Sequence, residues 1–255
     1  MTAPSATTMR VALVTGSGAG IGRATALRLA ADGRAVVVND VDADLASDTA
    51  RAIVAAGGRA LAAPGDAADP DAVAALVADA RSTLGEIEIL VNNVGGAPSG
   101  VGWNELRNTS ADDFYAFLRL NLGSAFVCTR AVIDGMIELG RGKVVCVNSV
   151  SAVFGQRAGV GYASAKAGLS GFVHSVAKEV APHGINVNAV LFGNAPHPSR
   201  TPERQALLDQ WCHFGRPGTY EEFAAPIAFL ASEDASYLSG TTVVVDGGTL
   251  RFAQL

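Results

Sequence analysis

Seven short runs rich in Val, Ile and Leu alternate with longer stretches of helical spacing, and this alternation limits the fold more than any other feature of the chain. The runs occupy 10–15, 35–39, 59–64, 88–92, 143–149, 186–191 and 242–245. Most lack the polar–apolar alternation of a half-exposed strand, so both faces are expected to be covered. Between them, 21–32, 42–56, 70–84, 111–139, 161–181 and 221–232 read as helices. Asp42, Asp69 and Ser110 stand where N-caps belong, and Pro70 where proline is well tolerated, at a first helical position. Strands alternating with helices build right-handed βαβ units. The expected fold is α/β: a doubly wound parallel sheet, Rossmann-like, of about seven strands with helices on both faces.

The organisation along the chain is simple. Residues 1–9 are small and polar and read as a flexible tail, and 10–255 read as a single domain with no linker, repeat or charge block. The exception to regularity is 192–218, which contains Pro196, Pro198, Pro202 and Pro217. It reads as an irregular flap with a short helix near 203–211, and such segments tend to be lids or binding loops.

Composition excludes several classes. With 255 residues, 49% of them hydrophobic and 17% charged, the chain can build a buried core. A net charge of −5 with no Lys/Arg stripe speaks against nucleic acid. No apolar run reaches roughly 18 residues, so no membrane association is expected, and the N-terminus does not read as a signal peptide. Cys128, Cys146 and Cys212 are scattered, and the four histidines form no ligand pattern. The expectation is a reducing, cytoplasmic setting with no metal.

The first strand runs from Val11 to Thr15 directly into Gly16, Ser17, Gly18, Ala19, Gly20, Ile21 and Gly22, and then into a helix. Glycines here let the backbone turn tightly and approach a pyrophosphate, while the helix N-terminus offers N–H groups to the anion. The spacing is T-G-x-x-x-G-x-G, because Ile21 stands where G-x-G-x-x-G requires glycine. A glycine cluster alone could be a structural turn; its place between a first strand and a first helix supports the dinucleotide reading. Asp40, 18 positions after Gly22, stands where a carboxylate accepts the adenosine ribose hydroxyls and repels a 2′-phosphate, which favours NAD(H). Its alternative role is a helix cap, for which Asp42 competes.

The fifth apolar run ends at Ser149, and thirteen residues later come Tyr162 and, one helical turn on, Lys166. A free phenol titrates at about 10. A nearby ammonium is expected to lower that value and make Tyr162 a usable general acid/base for an alcohol–ketone pair, with Ser149 holding the substrate oxygen. Alone, such a Tyr/Lys pair arises by chance on many helix surfaces; the glycine loop and the spaced serine change that balance.

With these motifs in hand, the chain resembles the short-chain dehydrogenase/reductase family, essentially from Val11 to Gly248. The resemblance rests on Thr15 to Gly22, Asp66, Asn92 to Gly95, Asn121, the Ser149/Tyr162/Lys166 set, and Val245 to Gly248. It implies a catalytic set of Asn121, Ser149, Tyr162 and Lys166. Asn121 would kink its helix and hold a water linked to Lys166. The implied cofactor contacts are Gly16, Ser17, Gly20, Ile21, Gly22, Asp40, Asp66 and Ala67 near the adenosine and pyrophosphate. Asn93, Gly95, Tyr162, Lys166, Gly193 and Ala195 would lie nearer the nicotinamide. A homotetramer is implied too, with Phe114, Phe117, Leu118 and Phe126 open to an interface or a core role.

Two segments depart from the family pattern. Val94 replaces its usual alanine and is followed by an extra Gly96. Phe192 replaces a proline after the sixth strand, and His197 stands where a threonine usually faces the cofactor. Phe192 would fill a pocket wall; His197 reads as an anion contact or an exposed loop residue. Substrate is left to 97–103, 150–157 and 194–214, which offer Trp103, Val153, Phe154, Trp211 and Phe214. Phe154 and Trp211 join Ser149 and Tyr162 as the expected substrate set. The small-molecule substrate is then a mainly apolar secondary alcohol or ketone, with cyclic and aromatic skeletons in view. The alternatives are an NADPH-dependent carbonyl or 3-oxoacyl reductase, and a dinucleotide-binding sensor without turnover.

Overall fold

The strands form where β-branched residues can be covered on both sides. In the computed structural model, which describes residues 9–196 and 200–252, they are β1 (Val11–Val14), β2 (Ala35–Val38), β3 (Arg59–Ala62), β4 (Ile87–Asn92), β5 (Gly142–Ser149), β6 (Ile185–Phe192) and β7 (Thr242–Val245). They pair in parallel as one seven-stranded sheet, in the order β3-β2-β1-β4-β5-β6-β7. Every residue of β1, β2 and β4 is buried. The expected two-sided cover fails at the edges, where β3 and β7 are partly exposed because each has a neighbour on one side only.

The helices follow the expected stretches. They are α1 (Gly20–Ala31), α2 (Ala43–Ala55), α3 (Pro70–Thr83), α4 (Ala111–Leu118), α5 (Ser124–Leu139), α6 (Ser151–Phe154), α7 (Val160–Val180), α8 (Pro202–Asp209), α9 (Tyr220–Leu230) and α10 (Thr249–Phe252). Asp42, Asp69 and Ser110 each accept backbone N–H groups as N-caps of α2, α3 and α4. Each such cap is worth about 1 kcal/mol. Alternate strand residues feed two cores. Leu13, Leu90 and Val144 pack under Val77, Met136 and Leu169 of α3, α5 and α7. Val14, Val91 and Val145 pack under Leu29, Ile53 and Ile227 of α1, α2 and α9. Burying each such side chain contributes about 1.5–3 kcal/mol.

The continuous helical stretch Ala111–Leu139 is long and apolar enough, by length and composition, to cross a membrane. Part of its apolar content packs inward: Phe117, Ala125, Cys128, Val132 and Met136 are buried, and α5 lies against β4, while Tyr115 and Phe126 are exposed. The exposed face carries Arg119, Arg130, Asp134 and Glu138.

At the other end of the sheet, Glu88 is 7% exposed and accepts from Arg10 Nε at 3.0 Å and from Arg141 Nε at 2.6 Å. Replacing it leaves two guanidinium groups facing each other. Glu88→Ala is expected to cost about 2–3 kcal/mol, discounted because Arg141 is half exposed. Thermal unfolding followed by circular dichroism should then show a Tm lower by roughly 5–10 °C. An unchanged Tm would show that the pairs contribute nothing net.

Candidate active site

In an open parallel sheet, ligands bind beyond the carboxyl ends of the strands where the strand order reverses. Here that point lies between β1 and β4. β1 leads into the glycine turn, where Gly16 and Gly20 have φ of 60° and 55°, a left-handed conformation that costs glycine little. Gly22 has no alternative at all: a Cβ there would lie 2.0 Å from the Gly16 carbonyl oxygen. The Asn93 amide, just past β4, donates to the carbonyls of Thr15 at 2.9 Å and Gly16 at 3.0 Å, which holds the turn against the sheet. Ser17 is fully buried; its N–H donates to Asn39 and its hydroxyl to Val14, so its side chain stabilises the turn from within. α1 starts at Gly20, with Ala19 at its N-cap offering no side-chain cap and no acid in the first turn. That leaves its first N–H groups directed at the turn.

Asp40 closes the same turn. Its Oδ2 accepts the Gly18 N–H at 2.9 Å and its Oδ1 the Asp42 N–H at 3.2 Å. The helix-cap alternative therefore falls to Asp42, which accepts from Asp44 and Leu45. Asp66, beyond β3, accepts from the Ala68 N–H at 2.8 Å and from Arg119 at 3.3 Å, while Ala67 beside it is buried.

At the other end of the cleft, β5 delivers Ser149 and α7 delivers Tyr162 and Lys166. The Ser149 hydroxyl accepts the Ser151 N–H at 3.1 Å, which fixes its direction. Tyr162 is partly buried. Burial pushes its phenol above the usual 10.0, and a hydrogen bond with Ser149 pulls the other way. Lys166 is buried; its Nζ donates to the Val147 carbonyl at 2.9 Å and lies 5.8 Å from the centre of the Tyr162 ring. Burial lowers its pKa to about 8. The expectation that the ammonium lowers the phenol is thus corrected: desolvation dominates, and it moves both groups toward their neutral forms.

Asn121 sits in a π-turn, Arg119–Gly123, between α4 and α5. A π-turn releases an i−4 carbonyl. The Asn121 amide takes up that of Phe117 at 3.1 Å and also brackets Gly96, donating to its carbonyl at 2.9 Å and accepting its N–H at 2.8 Å. A Cβ on Gly95 would lie 2.8 Å from Asn121 Oδ1 and 2.9 Å from Lys166 Nζ, so glycine permits the approach of both.

The departures have structural reasons. Phe192 is buried against Phe223 of α9, with ring centroids 4.5 Å apart, and serves the core. Gly193 is required because a Cβ would lie 2.7 Å from Asp246 Cα. His197 lies outside the described residues. Sequence reasoning missed Arg200, which donates to the Ala195 carbonyl at 2.6 Å and to Asn194 and Gln205, tying α8 to the end of β6. It also missed Tyr220, whose ring covers Gly20; a Cβ there would lie 3.7 Å from it. Of the loop aromatics, Trp103 packs on Tyr162 edge-to-face at 5.4 Å, whereas Trp211 is 57% exposed beyond α8. Phe154 is exposed on α6. Phe117 belongs to the core, and Phe126 is exposed.

Comparison with known proteins agrees with this arrangement. A family described as Enoyl-(Acyl carrier protein) reductase matches residues 16–249. A 3-oxoacyl-(acyl-carrier-protein) reductase of Synechocystis sp. is 39% identical over 97% of this chain and 100% of that protein. A cis-4-hydroxycyclohexanecarboxylate dehydrogenase of Sinomonas cyclohexanicum is 38% identical over 94% of this chain and 96% of its own. A cyclohexanol dehydrogenase of Acinetobacter sp. is 35% identical over 93% and 94%.

Proposed function

The chain belongs to the short-chain dehydrogenase/reductase family and is an oxidoreductase of CH–OH and carbonyl groups, and we propose that it interconverts a secondary alcohol and its ketone with NAD(H), using Tyr162 to move the proton. The observation that carries this reading is the placement of Ser149, Tyr162 and Lys166 on adjoining elements beside a glycine-lined turn.

The residues present fit a dinucleotide. Gly16, Gly20 and Gly22 with the start of α1 form a cradle for a pyrophosphate, and Asp40 and Asp66 stand beyond β2 and β3 for the adenosine. Bound there, the nicotinamide supplies or accepts the hydride. The protein's own work is to hold and move a proton. Ser149 orients the substrate oxygen, Tyr162 donates to it or accepts from it, and Lys166 stabilises the phenolate that forms on donation. Asn121 is a positioning residue that keeps the turn at Gly95 and Gly96 against Lys166.

Burial favours the neutral phenol, the form that donates to a carbonyl, and alcohol oxidation would use the phenolate. The relatives include both a reductase, from Synechocystis sp., and dehydrogenases, from Acinetobacter sp. and Sinomonas cyclohexanicum. Buried Cys128, Cys146 and Cys212 suit a reducing cytoplasm, and a homotetramer would cover the exposed Tyr115 and Phe126.

NADH and NADPH absorbance with a panel of secondary alcohols and ketones tests the reading. Tight dinucleotide binding without turnover on any of them would support the sensor instead. Asp40→Asn keeps an acceptor for Gly18 but removes the charge. It should shift the ratio of NADPH to NADH dissociation constants about tenfold toward NADPH, roughly 1.4 kcal/mol of relieved repulsion. An unchanged ratio would assign the preference to another residue.

A further inference from the structure

We propose that Trp103 forms a ring-binding subsite beside the reacting oxygen, which selects substrates whose carbinol carbon lies in or next to a carbocyclic or aromatic ring. The proposal rests on the alcohol–ketone reading and narrows it.

Trp103 is held from two sides. Its ring packs on the buried Phe117 at 5.3 Å and meets the Tyr162 ring at 5.4 Å with an interplanar angle of 75°. The loop that carries it is tied across the cleft, because Glu105 accepts from Arg157 at 2.9 Å, three residues beyond the exposed Phe154. Even so, Trp103 keeps 45% of its surface exposed. Because the two ring centroids are 5.4 Å apart, a substrate oxygen that reaches the Tyr162 hydroxyl would bring its carbon skeleton beside Trp103.

A rigid ring covers a flat aromatic surface without freezing rotors, while an open chain of the same carbon number loses torsional freedom to do so. Aromatic packing adds to the area removed from water. Trp103 thus discriminates by shape. Its contact is with the part of the substrate that does not react, so its effect falls on binding and KM more than on kcat.

The test compares cyclohexanol with 2-hexanol, two secondary alcohols of equal carbon number, by titration calorimetry in the presence of saturating NADH or NADPH. Wild-type protein should bind cyclohexanol more tightly. Trp103→Ala should weaken cyclohexanol about fivefold to tenfold and leave 2-hexanol within about twofold, and Trp103→Phe should retain most of the preference. Trp103→Leu keeps bulk without the aromatic face and should lose the preference as alanine does; it serves if the alanine variant does not fold. Equal affinity of the wild type for the two alcohols, or no measurable affinity for either, overturns the subsite. So does equal weakening of both by Trp103→Ala. Turnover of the same alcohols is read separately. Ring-selective binding that depends on Trp103 without oxidation of either alcohol would refute the alcohol–ketone reading and leave the subsite standing.

Discussion

Tyr162→Phe should lower kcat by about a hundredfold to ten-thousandfold and leave the dissociation constant for NADH within about twofold. The substitution removes one oxygen and keeps the ring, so the edge-to-face contact with Trp103 persists. Lys166 keeps its bond to the Val147 carbonyl, and the helix is undisturbed. What disappears is the hydroxyl that α7 presents to Ser149, and with it the proposed proton path. Stopped-flow or steady-state absorbance of NADH, with binding measured by fluorescence, checks both halves. Wild-type-like turnover would remove Tyr162 from the mechanism. The wild type carries a pH signature of the same group. Its phenol is raised by burial, so below that value it is protonated and carbonyl reduction should proceed at neutral pH with little slope. Alcohol oxidation needs the phenolate and should accelerate as pH rises from neutral toward the alkaline range. Tyr162→Phe should flatten that dependence.

Gly22→Ala should abolish dinucleotide binding, with a loss of at least about a hundredfold, because no rotamer can relieve the clash. The added Cβ meets the Gly16 carbonyl oxygen at 2.0 Å and the Asn93 amide at 2.6 Å, and the backbone must move. Opening the turn breaks the two bonds from Asn93 and redirects the start of α1. Overpacking of this kind costs about 1–3 kcal/mol or more. Fluorescence titration with NADH reads the binding loss, and circular dichroism shows whether the sheet survives. A folded variant with wild-type affinity would mean that the turn is structural only.

The fold was largely legible because its signals are local. Each of the seven apolar runs became a strand within a residue or two, and the caps at Asp42, Asp69 and Ser110 formed as spacing demanded. The candidate site was legible in identity and less so in physics. The i,i+4 spacing of Tyr162 and Lys166 placed them on one face of α7, but not the direction of the phenol's shift, which depends on burial in the folded chain, where Trp103 packs on its ring. Phe192 looked like a departure in the cofactor wall, yet it is a core residue against Phe223, thirty-one positions away in sequence. Arg200 gave no signal, since its partners Asn194, Ala195 and Gln205 lie five or six residues away on an irregular path with no helical or strand spacing to place them.

By itself, then, the sequence determined the alternating strands and helices, the strand–glycine–helix turn, and the residue types at the cleft. All of these follow from backbone geometry over a few residues. Tertiary structure alone decided which aromatic meets Tyr162, that burial pulls the Lys166 ammonium down to about 8, and that Asp40 braces the glycine turn. The reason is common to all three. Desolvation and close packing are properties of the space between segments, set by atoms far apart in the chain, and they exist only once the sheet has brought its carboxyl ends together.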